Sequence, residues 1–326
     1  MKNLTPLALY LKVLCLAGIV SVSFATAFAL TISPARLEIG GDPGKVVTSD
    51  FTITNEQDTE QTFFTSVENF AAQGETGTPS FSPSKEGLAS WVQVIDKVTL
   101  KKGEKIKVPF TITIPKDADV GGHFAAIFLS TTPPTQKSGQ VSVGAKMGML
   151  ILLRVTGDIK EGGGLLSFGL KNGGHFATAL PIDFEYRFNN SGNDRVNPKG
   201  TITIHNTIGF KTQELNANPT DGNILPASTR RFNAKWGDGE LLPETASFFD
   251  NVSYQWHNFA LGVYFANLDL TFGTSGSTSK LMVLFVFPWQ LIIVMFILLG
   301  ILFLILRNLV KRYNRFIISQ IRSGKH

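Results

Sequence analysis

The sequence contains one long uncharged apolar run, "LMVLFVFPWQLIIVMFILLGILFLIL", from Leu281 to Leu306. The run exceeds the roughly 20 residues that an α-helix needs to cross a bilayer. We therefore predict a transmembrane helix over Leu281–Leu306. This helix would hold the rest of the chain at a membrane and divide it between the two sides.

The residues after this run predict the orientation of the chain. They read "RNLVKRYNRFIISQIRSGKH", with no acidic residue and with six cations, namely Arg307, Lys311, Arg312, Arg315, Arg322 and Lys325. Segments rich in Lys and Arg stay on the cytoplasmic side of a membrane. We therefore expect residues 307–326 to form a basic cytoplasmic tail that lies on anionic lipid, and the preceding ectodomain to be extracellular. The protein would be a single-pass protein of the cell membrane.

The N-terminal segment has the organisation of a secretory signal peptide. A lysine near the start precedes an apolar run over Val13–Phe24 and small residues at Ala27 and Ala29. We predict cleavage after residue 29, so that residues 1–29 are a signal peptide, although Lys12 leaves an uncleaved anchor as an alternative. The only cysteine, Cys15, lies in this segment, so the mature chain would contain no thiol and no disulfide.

The formal net charge of +5 describes the ends of the chain and not its folded part. The two terminal segments carry eight of the 30 Lys and Arg residues and none of the 25 Asp and Glu residues. The 22 remaining cations and 25 acids give residues 30–280 a formal charge of −3. Binding to nucleic acid requires a positive field, so we predict no nucleic-acid partner.

Between residues 30 and 280, apolar residues recur with period two, which is typical of half-buried β-strands. The pattern is clear in "KIKVPFTITIP", in "PIDFEYRFNN" and over Tyr264–Phe272. Turn sequences such as "GGDPG", "NNSGND" and "GDGE" separate these runs. No long helical pattern occurs outside the two terminal segments. These features predict an all-β ectodomain, in which "FAAIFLS" and "MLILLRV" are central strands covered on both faces.

A glycine-rich stretch, "GDIKEGGG" at 157–164, divides the ectodomain into two parts of similar size. Each part has the size of one immunoglobulin-like sandwich, roughly 100 residues. The segments "SDFTITNEQDTEQ" and "IDFEYRFNNSGND" share Asp-Phe, alternate, and end in an asparagine-led turn. We therefore predict two tandem immunoglobulin-like β-sandwiches, at 30–157 and 158–280, plus one C-terminal transmembrane α-helix.

The sequence contains no familiar motif for catalysis or for a cofactor. It lacks nucleotide-binding glycine loops, HExxH and GxSxG. The pentapeptide "GGHFA" occurs at 121–125 and again at 173–177, which admits either a paired site of His123 and His175 or a glycine turn that leads into a strand. The turn is favoured, because a motif needs a structural context. We expect no catalytic residue, no metal and no cofactor, and hence no enzyme.

Aromatic residues offer the best candidates for ligand binding, because sugars stack on Trp and Tyr rings. A sandwich usually buries a tryptophan in its core, and core packing is favoured for Trp91 and Trp236. Tyr254 and Trp256, in "SYQWHNF", are predicted to share one exposed strand face. The candidate ligand-binding residues are Trp91, His123, Tyr254 and Trp256.

Two segments carry a resemblance to a known family, "LTISPARLEIGGDPGKVVTSDFTITNEQDTEQTF" and "ASWVQVIDKVTLKKGEKIKVPFTITIPKDADVGGHFAAIFLS". They resemble the peptidoglycan-binding domain of WxL-interacting proteins. The shared positions are Ser33-Pro34, Gly44, Asn55, Trp91, Lys102-Gly103-Glu104, Pro115 and Gly121. The second half, with "GNDRVNPKGTITIHNTIG", resembles the host-binding half of the same family. The resemblance implies tandem immunoglobulin-like domains, a C-terminal anchor and peptidoglycan as a partner.

The sequence therefore favours a membrane-anchored extracellular binding protein that attaches to cell-wall peptidoglycan or to another surface protein. The alternative is a chaperone-like or assembly component of a surface appendage or surface layer that acts by β-strand addition. The ligand and the binding face stay open at this point.

Overall fold

The structure, a computed structural model, describes residues 30–83, 86–133, 146–243 and 245–323, with side chains as far as residue 319. The expected signal peptide, Cys15 and Lys325 lie outside these residues. The chain is mostly β-sheet and ends in one long apolar helix. The strands are β1 Leu30–Ser33, β2 Arg36–Gly41, β3 Val46–Asn55, β4 Gln61–Gln73, β5 Thr78–Ser82, β6 Val92–Val94, β7 Lys97–Leu100, β8 Lys105–Thr113, β9 Gly121–Ser130, β10 Lys146–Val155, β11 Gly163–Leu170, β12 Phe176–Ala177, β13 Ile182–Asn190, β14 Lys199–Asn206, β15 Lys211–Asn216, β16 Ser228–Trp236, β17 Gly262–Phe272 and β18 Gly276–Val286. The helices are α1 Leu88–Trp91, α2 Phe248–His257 and α3 Trp289–Ser323.

Residues 30–155, the first unit, fold into two sheets. Their strand orders are β1-β3-β8-β6 and β2-β10-β9-β4-β5, with β7 also paired to β4. Inward side chains of the two sheets form one apolar core, because successive side chains of a strand point to opposite faces. The largest of these buried side chains include Phe51, Phe63, Phe110, Ile112 and Ile127.

Residues 163–286, the second unit, fold into sheets with the orders β11-β13-β16 and β12-β18-β17-β14-β15. Their core contains the inward residues of the predicted alternating runs, namely Ile182, Phe184, Tyr186, Phe188, Ala266, Leu268 and Leu270. The two units share a topology. In each unit the first strand pairs antiparallel with the third, and the second pairs parallel with the last.

The central strands β9 and β10 are covered on both faces, as their continuous apolar sequences predicted. Ala125 and Ile127 face the core of the first unit. Ala126 and Phe128 face a smaller apolar cluster on the outer side of the sheet, which also contains Leu225 of the second unit. The second unit therefore packs against the outer face of this sheet.

The apolar C-terminal run is shared between a strand and a helix, so the predicted span over Leu281–Leu306 begins too early. Leu281–Val286 belong to β18 and pair with β17, and the second unit continues past residue 280 to residue 286. Within β18, Met282, Leu284 and Val286 are buried and alternate with outward side chains, a pattern that a hydropathy count cannot separate from a uniformly apolar helix. The helix α3 begins at Trp289 and runs without a break through the predicted tail to Ser323.

Within the described residues, α3 is the one helix long and apolar enough to cross a membrane, judged by length and composition. At about 1.5 Å per residue it is longer than the roughly 30 Å hydrocarbon core of a bilayer. Its basic C-terminal turns therefore extend beyond the apolar segment.

The segment that contains Tyr254 and Trp256 is a helix, so the predicted shared strand face is wrong. Ser247 caps α2, since its hydroxyl accepts a hydrogen bond from the amide of Asp250 at 3.2 Å and the carboxylate of Asp250 accepts one from the amide of Ser247 at 3.0 Å. This reciprocal capping box satisfies backbone donors at the start of the helix, and it decides the local structure.

Candidate binding site

Two of the predicted ligand-binding residues lie together in the first unit. The rings of Trp91 and His123 have centroids 4.7 Å apart, and both side chains are partly buried. A ring nitrogen of His123 contacts the carbonyl of Asp119 at 2.8 Å. Trp91 also packs against the core of the first unit. Its predicted core role is therefore met in part, and both residues of the ring pair stay partly exposed.

The other two predicted residues lie in the second unit, on α2, and do not join this pair. The hydroxyl of Tyr254 donates to the carbonyl of Glu240 at 3.0 Å, whereas Trp256 is exposed. Four predicted residues therefore occupy two separate places. Trp236 is buried against Tyr264, with ring centroids 4.9 Å apart, as its predicted core role requires.

The second unit has an open sheet edge at β18. This strand pairs with β17 at eleven positions, from Gly262 to Phe272. On its other side it pairs with β12 at two positions only, Phe285 and Val286. Within the described residues, Gly276–Met282 therefore have no strand partner on that side. An unpaired row of backbone groups is a template for another strand.

His175, just before β12, contacts β18 at the point where the paired part of the β18 edge ends. Its backbone carbonyl accepts the amide of Phe285 at 2.7 Å, and its ring Nδ1 lies 2.8 Å from the carbonyl of Val283. The second "GGHFA" sequence thus places a histidine on a strand edge and not in a histidine pair. The turn interpretation of Gly173 and Gly174 is consistent with their positive φ angles of 76° and 72°.

The contacts of His175 also fix which backbone groups of β18 point outward. In an antiparallel ladder the amide and carbonyl of one residue point to the same side, and the side alternates along the strand. Since Val283 and Phe285 use the open side, Ser277, Ser279 and Leu281 must point there too. The open edge therefore presents three residues whose amide and carbonyl face outward, beside the exposed side chain of Leu281.

The neighbouring strand β11 forms the facing edge of the other sheet. Among the residues that the structure describes, it pairs only with β13, and its sequence "GGLLSFGL" has no charged residue and no proline. Leu166 is exposed at an irregularity in this pairing. We call the two edges, β11 and Gly276–Met282 of β18, the open side of the second unit.

The other sheet edges of the described residues are shorter or are blocked. Lys211 and Glu214 form an ion pair on β15, and β5 contains Pro79. On β16, the amide of Arg231 donates to the carbonyl of Glu75 at 2.7 Å. Charges and proline discourage pairing with another strand. The open side is thus the longest stretch without such protection.

The hairpin between β4 and β5 fixes the second unit to the first. Arg187 Nε donates to Glu75 Oε2 at 2.7 Å, and its Nη2 contacts Glu75 Oε1. The Arg187 hydrogen bond lowers the pKa of Glu75 below its usual value, and the charge of Arg231 adds to this effect. The pair therefore stays ionised at neutral pH.

A second polar contact joins the units at Glu38 of β2. Arg195 Nε donates to Glu38 Oε2 at 3.1 Å, and the amide of Asn223 donates to Glu38 Oε1 at 2.7 Å. Burial alone would raise the pKa of Glu38, but contacts with Asn223 and Arg195 outweigh burial and lower it. Backbone contacts complete the junction, since Asn193 accepts the amide of Gly122 at 2.9 Å.

A cavity of about 90 Å³ lies between the units, with apolar walls that include Phe70, Leu152 and Leu225. Arg230 lines this cavity, and its Nε is buried without a hydrogen-bond partner. Desolvation lowers the pKa of Arg230. Residues of both units line the cavity, so it belongs to the contact between the units and not to the open side.

The described residues contain no cluster of three or more His, Cys, Asp or Glu side chains that could hold a metal ion. What the open side offers is hydrogen bonding by backbone groups. It can accept one extended segment as an additional strand.

Sequence reasoning missed the residues of the open side and of the junction. Outward backbone groups have no signature in the side-chain sequence, and Glu75 lies 112 residues from Arg187. One usable signal did exist for α2, because Ser247 and Asp250 match the start of a capping box.

No protein-family model and no curated protein matches the sequence. Among solved structures, the chain is similar to the class 5 fimbriae chaperone CfaA, with 13% identity and a TM-score of 0.36 over 78% of this chain and 99% of that one. It is also similar to the E. coli chaperone DraB, with 14% identity and a TM-score of 0.34 over 78% of this chain and 97% of that one. A third is the CsuC-CsuE chaperone-tip adhesion subunit complex of Acinetobacter baumannii, with 12% identity and a TM-score of 0.34 over 78% of this chain and 98% of that one. Similarity at this level does not establish a shared function.

Proposed function

We propose that this chain is a membrane-anchored binding protein that captures an extended segment of another surface protein by β-strand addition. The single observation behind the proposal is the pairing asymmetry of β18, which has eleven partners on one side and two on the other. An incoming strand would bond to Ser277, Ser279 and Leu281. The captured segment would lie roughly 17–30 Å from the membrane-proximal end of β18, because Leu281 and Ser277 precede Val286 by five and nine residues at about 3.3 Å each.

In this proposal the two units are immunoglobulin-like sandwiches. The sheet order β1-β3-β8-β6 against β10-β9-β4 follows the arrangement of strands A, B, E and D against G, F and C in constant-type immunoglobulin domains, with β2 added beside β10. The helix α3 crosses the membrane, and its basic end at Arg307–Arg315 lies in the cytoplasm. The mechanism is binding without catalysis.

Proline substitutions provide a test that separates binding from folding. Ser279→Pro removes an outward amide that β17 does not use, so the fold should persist while strand addition is lost. Thr278→Pro is the matched control for folding, because its amide points to β17 and its loss should lower the melting temperature. A serine-to-alanine change at 279 keeps the amide and should keep binding.

Binding is measured by photo-crosslinking in the envelope of cells that make the full chain. A photoreactive residue replaces Leu281 on the open side, and another replaces Thr212 on β15 as the control. We expect one protein to crosslink at 281 and not at 212, with the crosslink lost in Ser279→Pro. If the crosslink at 281 persists in a folded Ser279→Pro variant, strand addition is wrong.

The pairing of Trp91 with His123 favours a second candidate function, binding to peptidoglycan in the first unit, as the resemblance to WxL-interacting proteins implies. A partly exposed aromatic pair can stack on the apolar face of a sugar. Sedimentation of the detergent-solubilised chain with purified cell-wall sacculi tests this candidate. Binding that is lost in His123→Ala and kept in Ser279→Pro would support it over strand addition.

A further inference from the structure

The end of the second unit from which α3 leaves carries a set of exposed apolar side chains. Three chain segments meet there. The sheet register pairs Asn206 at the end of β14 with Tyr264 in β17, and Gly262 at the start of β17 with Val286 at the end of β18. The β14–β15 hairpin, the α2–β17 connection and the start of α3 therefore lie at one end of the sheet.

These segments expose large apolar side chains to an unusual extent. Ile208 is 76% exposed and Phe210 is 69% exposed, both in the β14–β15 hairpin. On α2, Phe249 is 75% exposed, and Phe259 between α2 and β17 is 54% exposed. Scattered exposed apolar residues are common, but a group at one end of a molecule marks an interaction surface. We call these four side chains the apolar end of the second unit.

Three stretches near this end lack acidic residues, lysine and arginine, although Lys211 directly follows Phe210 and Asp250 directly follows Phe249. None occurs in 206–210, 255–264 or 281–290. A surface that contacts water or a soluble partner usually carries such charges at its rim. Their absence in all three stretches fits burial against the headgroup and acyl boundary of lipid, where aromatic side chains are enriched.

The connection to α3 is too short to hold this end away from a bilayer. Only Phe287 and Pro288 separate β18 from α3, and two residues span at most about 7 Å. The helix start is also fixed to α2. Gln255 accepts the amide of Leu291 at 3.0 Å and its amide contacts Gln290, while the rings of Phe248 and Trp289 lie 6.1 Å apart.

We infer that the apolar end of the second unit is seated in the interface of the lipid bilayer on the side that faces the two units. Phe249, Phe210, Ile208 and Phe259 insert among the headgroups, and α2 lies along the membrane surface. This inference rests on the proposed crossing of the membrane by α3. It deepens the proposal, since a seated unit presents its open side at a fixed height above the bilayer.

Site-directed nitroxide labels test the inference in the full chain, reconstituted in vesicles of phosphatidylcholine and phosphatidylglycerol. In a Cys15→Ser background, single cysteines replace Phe210, Phe249, Leu299 within α3, and Val46 of the first unit. Each label is probed with oxygen, which concentrates in lipid, and with a water-soluble nickel chelate. We expect labels at 210, 249 and 299 to favour oxygen, and the label at 46 to favour the chelate.

The outcomes separate the failure of this inference from the failure of the proposed anchor. If the label at 299 is in lipid while the labels at 210 and 249 are accessible to the chelate, the apolar end does not lie in the bilayer interface. The proposed membrane crossing by α3 is then still supported. If the label at 299 is also accessible to the chelate, α3 does not cross the membrane, and both the proposed anchor and this inference are wrong. If 210 and 249 are shielded from both probes and dilution with lipid removes this shielding, a second copy covers the surface and the seating is overturned.

Charged substitutions provide an independent test of the inference. Ile208→Asp combined with Phe210→Asp should shift the label at 249 towards the chelate, because the hairpin can no longer enter the interface. Thr212→Asp, on the adjacent β15, is the matched control and should leave the label at 249 unchanged. No shift in the double variant would overturn the inference, provided that its circular dichroism shows an intact fold.

Discussion

Asn55 and Asn190 make two matching hydrogen bonds in the two units. Each side-chain carbonyl accepts the amide two residues later, from Gln57 at 3.0 Å and from Gly192 at 2.9 Å. Each side-chain amide donates to the carbonyl four residues later, of Thr59 at 2.9 Å and of Asp194 at 2.8 Å. Both side chains are fully buried, so each one closes the turn at the end of a core strand.

Replacing either asparagine by alanine should lower the free energy of unfolding by about 1–3 kcal/mol, because buried backbone groups lose their partners. Chemical denaturation of the full chain in detergent measures the change. Asn267→Ala is the matched control, since the Asn267 amide contacts Asp269 at the surface. A loss as small as that of the control would show that water replaces these contacts.

Gly121→Ala should disrupt the contact between the units. Gly121 has a φ of 123°, and an added Cβ would lie 2.2 Å from the carbonyl oxygen of Asn193. The backbone conformation alone costs roughly 1–3 kcal/mol for a residue other than glycine, and the clash adds to it. We expect faster limited proteolysis near residues 157–162. Gly164→Ala, where no atom lies within 4 Å of the added Cβ, should leave the rate unchanged.

Acidification should loosen the junction at Glu75. Arg187 lowers the pKa of Glu75 in the folded protein. The stability that Glu75 adds to the junction is therefore complete above the pKa of the unfolded chain, about 4.3, and is lost as the pH falls through the lower pKa of the folded protein. Pulsed electron resonance between labels at Val46 and Phe249 should show a broader distance distribution at about pH 3.5 than at neutral pH.

Glu75→Gln should broaden this distance distribution already at neutral pH and reduce its pH dependence to the part that Glu38 contributes. Glu214→Gln, which removes a pair within the β14–β15 hairpin region, serves as the control and should behave like the unaltered chain. If the Glu75→Gln variant retains the full response to acid, other carboxylates cause that response and the prediction is wrong.

Gln255→Ala should release the start of α3 from the second unit. Gln255 is buried and accepts the amide of Leu291, so the local cost is about 1–3 kcal/mol. Local opening should therefore increase roughly 5- to 150-fold, and hydrogen exchange at the Leu291 amide should accelerate in proportion. Gln213→Ala on the exposed β15 is the control. Unchanged exchange at Leu291 would mean that the bilayer alone holds this turn.

The β-strands of this protein were predictable where one face of a strand is buried and the other is exposed to solvent. The runs in β8, β13 and β17 alternate because the pleat sends successive side chains to opposite faces. The same rule explains the error at Leu281–Val286. There the outward positions of β18 are apolar too, so the sequence loses its period and resembles the start of the membrane helix.

The candidate site was much less predictable than the strands. Trp91 and His123 were expected to be near a ligand, and the fold brings their rings together. Tyr254 and Trp256 were predicted to share a strand face, but two aromatic residues at i and i+2 do not distinguish a strand from a helix, and the capping box of Ser247 and Asp250 decides for the helix. The open side could not be found, because it consists of backbone groups that every residue carries.

The sequence by itself determined the pleated character of the chain, its uncharged C-terminal run and the basic residues that follow, since these depend on side-chain polarity at fixed local spacing. Only the tertiary structure decided which strand edges stay open, where β18 gives way to α3, and how Glu75 reaches Arg187. Those features depend on which distant segments meet, and pairing across more than a hundred residues is set by the packing of the whole core and leaves no local pattern.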